Sequence, residues 1–108
     1  MKVENPRYEP MAGHSIQSIE IDGTHATFVA SNLPGCLDLQ TLFKTAKIPF
    51  RIDELENDMN SIRIPRDQLG KALAAILKTR GPSAPAQNAW LKDMAEAMQI
   101  SLPKRARD

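Results

Sequence analysis

The sequence predicts an α+β fold: a four-stranded antiparallel sheet built from two β-hairpins, with helices packed on one face (ββαββα plus a C-terminal helix). Three observations carry this. Residues 15–31 and 50–64 each alternate apolar and polar side chains about a turn-forming segment. Residues 66–80, RDQLGKALAAILKTR, repeat apolar side chains at helical spacing. A second helical pattern follows Pro85.

With 108 residues the chain makes one domain. A chain of this size buries roughly 65% of its unfolded surface, enough for a core without staples. Aromatic residues are only 5% of the total, so that core is mainly aliphatic. The chain is expected to divide into a flexible N-terminal arm (1–13), a single α+β domain (14–102) and a basic tail (103–108). Pro6, Pro10 and Gly13 among charges mark the arm, which Tyr8 and Met11 can dock.

In the first hairpin Ile19 and Ile21 alternate with Ser18 and Glu20, and Ala26 and Phe28 alternate on the return strand. Asp22-Gly23 predicts a type I′ turn, whose two central residues need positive φ. That turn pairs Ile21 with Thr24 and Ile19 with Ala26, and sets His25 across from Glu20. All four apolar side chains share one face. Residues 32–35 (Asn-Leu-Pro-Gly) break the strand. Asp38 is positioned to cap a helix running to about Lys47, with Leu39, Leu42, Phe43 and Ala46 inward and Pro49 beyond its end.

In the second hairpin Phe50 and Ile52 alternate with Arg51 and Asp53, and Ile62 and Ile64 flank Arg63. A three-residue loop, Glu56 to Asp58, pairs Ile52 with Ile62 and sets Arg51 opposite Arg63 on the outer face. Two opposed arginines are unfavourable unless an acid or a bound anion lies beside them; Asp53, diagonal to Arg63, is the intramolecular candidate.

The helix over 66–80 has Leu69, Ala72, Leu73, Ile76 and Leu77 on one side, the amphipathic pattern of a helix on a core. Pro65 suits its start. Gly81-Pro82 stops it. Lys71 and Lys78 lie outward, and small Ala74 and Ala75 lie between stripe and core. The last helix, about Pro85 to Ser101, presents Leu91, Met94 and Met98, flanked by Trp90, Ala97 and Leu102, with Lys92, Asp93 and Glu96 opposite.

Composition narrows function mainly by exclusion. One cysteine, Cys36, precludes an intramolecular disulfide and fits a reducing compartment. No secretory leader and no run of about 20 apolar residues is visible, so the expected location is cytoplasmic, with no membrane partner. Cysteine and histidine have no zinc spacing. Neither Gly-Pro turn has the pattern of a phosphate loop. The acidic segment Asp53, Glu54, Glu56, Asp58 lacks the glycine and terminal glutamate of an EF-hand loop. No cofactor or metal is therefore expected. A thiolate–imidazole pair of Cys36 with His14 or His25 is the sole enzymatic reading, and no spacing argument unites it.

The expectation is a small non-enzymatic protein-binding module, such as an inhibitor, immunity protein, adaptor or regulatory subunit. Partner-binding candidates are Trp90, Met94 and Met98, an adaptable apolar surface with an aromatic anchor, and Arg51, Arg63, Lys71 and Lys78. Self-association is included in this reading. The alternative is nucleic-acid binding. Residues 1–60 hold five Lys/Arg against nine Asp/Glu, whereas residues 61–108 hold nine against four. The basic second half, with Lys104, Arg105 and Arg107 in the tail, offers phosphate donors. Exposed stacking aromatics and a helix-turn-helix are absent from the pattern.

Overall fold

A computed structural model describes residues 1–6, 8, 16–31, 35–80 and 85–100. The strands are β1 (Lys2–Glu4), β2 (Ile16–Ile21), β3 (His25–Ser31), β4 (Arg51–Glu54) and β5 (Met59–Pro65). The helices are α1 (Leu37–Thr45), α2 (Leu69–Arg80), entered through a 3₁₀ turn at Arg66–Gln68, and α3 (Pro85–Ala97). The architecture is α+β with an antiparallel sheet and three helices, but the sheet has five strands rather than four, in the order β1-β2-β3-β5-β4. The two hairpins join through β3 and β5, their second strands.

The fifth strand comes from the segment expected to be an arm. Its one apolar residue, Val3, gives no readable alternation. The strand forms by pairing with the free edge of β2, with Val3 opposite Ile19. Asn5 extends the ladder by donating its N–H to the Gln17 carbonyl at 2.9 Å. The Asn5 side-chain amide also donates to the Ile16 carbonyl at 2.8 Å. From α3, the carbonyl oxygen of Gln87 accepts the Ile16 N–H at 2.7 Å. Gln87 is buried, so this side chain satisfies the backbone where β2 begins and ties α3 to it.

The first hairpin differs from expectation in register. Ile21 pairs with Ala26 and Ile19 with Phe28, a shift of two residues. No glycine among the described residues has positive φ, so Asp22-Gly23 is not a type I′ turn. Instead the Asp22 carboxylate accepts the backbone N–H groups of Thr24 and His25, both at 2.7 Å, and the chain reverses at Gly23–Thr24. A shift of two preserves facing, so Ile19, Ile21, Ala26 and Phe28 still share one side. A bulge between Ile16 and Ser18 keeps Ile16 on that side too, although it stands three residues from Ile19. The second hairpin has the expected register, with Ile52 opposite Ile62 and Arg51 opposite Arg63. Its loop places Asn57 and Asp58 at φ near +60°.

The inward residues of the sheet meet Leu39 and Phe43 of α1, the Leu69, Leu73, Ile76 and Leu77 side of α2, and Leu91 and Met94 of α3 in one core. Phe28 and Phe43 pack edge to face, ring centroids 5.4 Å apart, fixing α1 on β3. Asp38 does not cap α1; Cys36 occupies that position without a side-chain bond, and Asp38 sits in the first turn. The helix ends earlier than Pro49 requires. Ile48 donates to the Phe43 carbonyl and Lys47 to that of Lys44, with Lys47 in the left-handed region. This is a Schellman closure with lysine where glycine is usual. The end of α3 repeats it, Ile100 donating to Ala95 and Gln99 to Glu96. That is why α3 stops at Ala97, short of Ser101. The Gly81-Pro82 stop, residues 32–34, Leu102 and the basic tail lie outside the described residues.

Candidate functional site

The helices cover one face of the sheet and leave the other bare of described helices, although Ser18 and Ser61 on it are buried and Tyr8 reaches Met59. Cross-strand neighbours on the bare face form two rows. One runs Lys2, Glu20, Thr27, Arg63, Arg51, and the next runs Glu4, Ser18, Val29, Ser61, Asp53. In the first row the β1 side pairs opposite charges, Lys2 with Glu20. The β4 side pairs like charges, Arg63 with Arg51. Both arginines are exposed. Among the described residues Arg51 has one counterion, Asp53, at 3.7 Å, too long and too exposed to neutralise it firmly. Among the described residues no carboxylate lies within ion-pair distance of Arg63. The diagonal contact from Asp53 to Arg63 is therefore not made; Asp53 turns to Arg51 on its own strand.

His25, at the start of β3 and opposite Pro65, occupies the same corner. His25, Arg51 and Arg63 line an open depression rimmed by Pro49, Phe50 and Pro65. The neighbouring turn is rigidly tied. Arg66 donates its N–H to the Thr24 carbonyl at 2.9 Å and its guanidinium to the Asp22 carbonyl at 2.8 Å. Asp22 is held down to about 2 by the backbone N–H groups of Thr24 and His25 and by the Thr24 hydroxyl, and it remains ionised. Thr24 Oγ1 lies 3.1 Å from Asp22 Oδ1 and 2.8 Å from His25 Nδ1. The Thr24 hydroxyl bridges Asp22 and His25, the direction of its bond to Nδ1 depending on the imidazole tautomer. Among the described residues Nε2 has no hydrogen-bond partner.

The remaining sequence candidates are dispersed. Lys71 and Lys78 are exposed on α2, in the helical layer, across the sheet from the arginines. Met94 is buried in the core, while Trp90 and Met98 are half-buried at its margin. Ala74 and Ala75 are half-buried, and α2 packs beside α3. Arg66 does stand at the same end as Arg51 and Arg63, but it is committed to the turn. Sequence reasoning misses His25 as a member of this corner, because the two-residue register error sets it beside Glu20; Thr27 holds that place.

Cys36 is fully buried and accepts long bonds from the side-chain amides of Gln40 and Asn60, both at 3.6 Å. Asn60 and Pro65 stand at opposite ends of β5, about 17 Å apart at strand rise. Cys36 is at the Asn60 end and His25 at the Pro65 end, so the two do not meet. His14 lies outside the described residues. The Tyr8 hydroxyl donates to the Met59 sulfur at 3.6 Å, and burial pushes its phenol up. The acidic loop is exposed, and among the described residues no three acids, histidines or cysteines converge as a metal site would need. No described helix is long and apolar enough to cross a membrane. No known protein family matches the chain, and no similar protein is found among curated sequences or solved structures.

Proposed function

We propose that this is a non-enzymatic protein-binding module that receives acidic side chains of its partner on the sheet face the helices leave bare. The observation that carries the reading is the Arg51–Arg63 pair, directly opposed, exposed and, among the described residues, together served by a single loose carboxylate. Like charges so placed are destabilising by a few tenths of a kcal/mol unless an anion joins them. A carboxylate approaching a guanidinium makes a bidentate, charge-assisted contact. Both edges of the sheet are short and charged, β1 reading Lys-Val-Glu and β4 Arg-Ile-Asp-Glu, which disfavours strand addition and leaves the face as the interface. The apolar side of α3 is largely used within the fold, so Trp90 and Met98 contribute at most a margin.

The test is capture of partners on the tagged protein from its native lysate, with and without nuclease, beside an Arg63→Glu variant. A stoichiometric protein that survives nuclease and is lost with Arg63→Glu is expected. Capture abolished by nuclease would shift the assignment to nucleic acid. A partner held equally by both forms would remove the bare face from the interface.

A further inference from the structure

We infer that the corner formed by His25, Arg51 and Arg63 is a binding site for a phosphate monoester. The inference rests on the protein-binding reading in one respect: the monoester is a phosphorylated side chain of the partner.

Three features select this ligand over a simple carboxylate. First, the depression is lined by three cationic or potentially cationic side chains and by no acid. One guanidinium suffices for a carboxylate, which has two oxygens and one charge. A phosphate monoester carries nearly two charges and three strong acceptor oxygens, matching two guanidinium groups and an imidazolium. Second, the donors come from three adjacent strands, β3, β5 and β4, whose pairing fixes their spacing without help from a loop. Third, the Asp22–Thr24–His25 chain holds the imidazole by Nδ1, and among the described residues Nε2 is left open to a ligand.

The charged groups the structure places beside His25 are Asp22 on its turn and Arg63 and Arg51 on β5 and β4. Asp22 is committed to backbone donors, and the Arg66 guanidinium donates to the Asp22 carbonyl. A dianion entering between His25 and Arg63 therefore meets no described acid among the residues that line the depression.

The probe is phenyl phosphate, with glutarate as the carboxylate control, followed by amide and imidazole NMR on the whole chain. Saturable shifts at His25, Thr27 and Arg63 are expected in the millimolar range. Arg63→Ala should weaken phenyl phosphate about tenfold, the scale of one charge-assisted contact. His25→Gln should bind more weakly while keeping the native amide pattern. Absence of a saturable response, or an equal response to glutarate, would overturn the inference. In the capture experiment, an Arg63-dependent partner retained after phosphatase treatment would also overturn it, leaving protein binding intact. Saturable phenyl phosphate binding with no such partner would have the opposite meaning: the phosphate site stands and the protein-binding reading falls.

Discussion

On β3, Phe28 is fully buried against Phe43, whereas its chain neighbour Thr27 is half-exposed between Glu20 and Arg63. The same alternation runs through β2 and β5, with Ile19, Ile21, Ile62 and Ile64 on one side and Glu20 and Arg63 on the other. The two faces share a backbone and a register but answer to different constraints. Under the helices, apolar area decides residue identity, at about 25 cal/mol per Å² removed from water. Along the Glu20, Thr27, Arg63, Arg51 row of the other face, where side chains are exposed or half-exposed, burial decides little, and charge placement is free to deviate from what stability prefers. Lys2 opposite Glu20 follows that preference, and Arg63 opposite Arg51 does not. A departure of this kind on a face without packing demands is where function is most economically sought.

The contrast is sharpest in substitution. Phe28→Ala should cost about 3–5 kcal/mol, the range for a fully buried phenylalanine, and more if Phe43 loses its edge contact. Thr27→Ala, one residue away, should fall within about 0.5 kcal/mol of the parent. Urea unfolding of the two variants measures both, and comparable losses would mean that the bare face is covered in solution. Gln87→Ala is next in size. It removes the acceptor of the fully buried Ile16 N–H and should cost about 1–3 kcal/mol. Hydrogen exchange at the Ile16 amide should accelerate, while amides of β5 change only with global stability. An unchanged Ile16 amide would show that α3 does not hold the start of β2.

The same contrast decides how far the amino-acid sequence discloses the molecule. The covered face is legible because burial imposes period: the Leu69, Leu73, Ile76 and Leu77 stripe and the alternations of both hairpins all emerge in the core. The register of β4 on β5 is legible as well, since loop length and apolar pairing agree there. The register of the first hairpin is not, because Asp22 acts through its carboxylate instead of through positive φ at Gly23. The resulting error of two residues preserves the faces but misplaces His25, and with it a third of the candidate corner. β1 is illegible because three residues with one apolar side chain carry no periodic signal; only the free edge of β2 makes them a strand. The Arg51–Arg63 opposition follows from the sequence pattern alone, whereas only the helix packing assigns Lys71 and Lys78 to the opposite layer.

Arg63→Thr tests whether the bare face departs from its own stability optimum. It removes the like-charge opposition and places a β-branched residue in an inner strand, so a gain of roughly 0.2–1 kcal/mol is expected. The gain should shrink as salt screens the parent's repulsion over about 10 Å at 0.1 M. A variant less stable than the parent at low salt would show that the pair is already neutralised within the chain, and an anionic partner would lose its main support.

The smallest expected effect lies at the turn, where register for both faces is set. Asp22 has its pKa lowered from 3.8 to about 2, first by the Thr24 N–H, then by that of His25, then by the Thr24 hydroxyl. A carboxylate depressed on folding stabilises the native state above its unfolded value, and this contribution is lost as pH falls through the folded value. The turn should therefore weaken between pH 3.8 and about 2 and be indifferent above that window. Asp22→Asn retains a side-chain carbonyl acceptor for both N–H groups but does not titrate. Its stability relative to the parent should rise across that window, with other carboxylates common to both curves. Acid limbs that run parallel would mean the carboxylate charge contributes nothing to the reversal. The register shift would then have to be attributed to the Ile21–Ala26 and Ile19–Phe28 pairs on the covered face, which place the same demand on the chain from the other side.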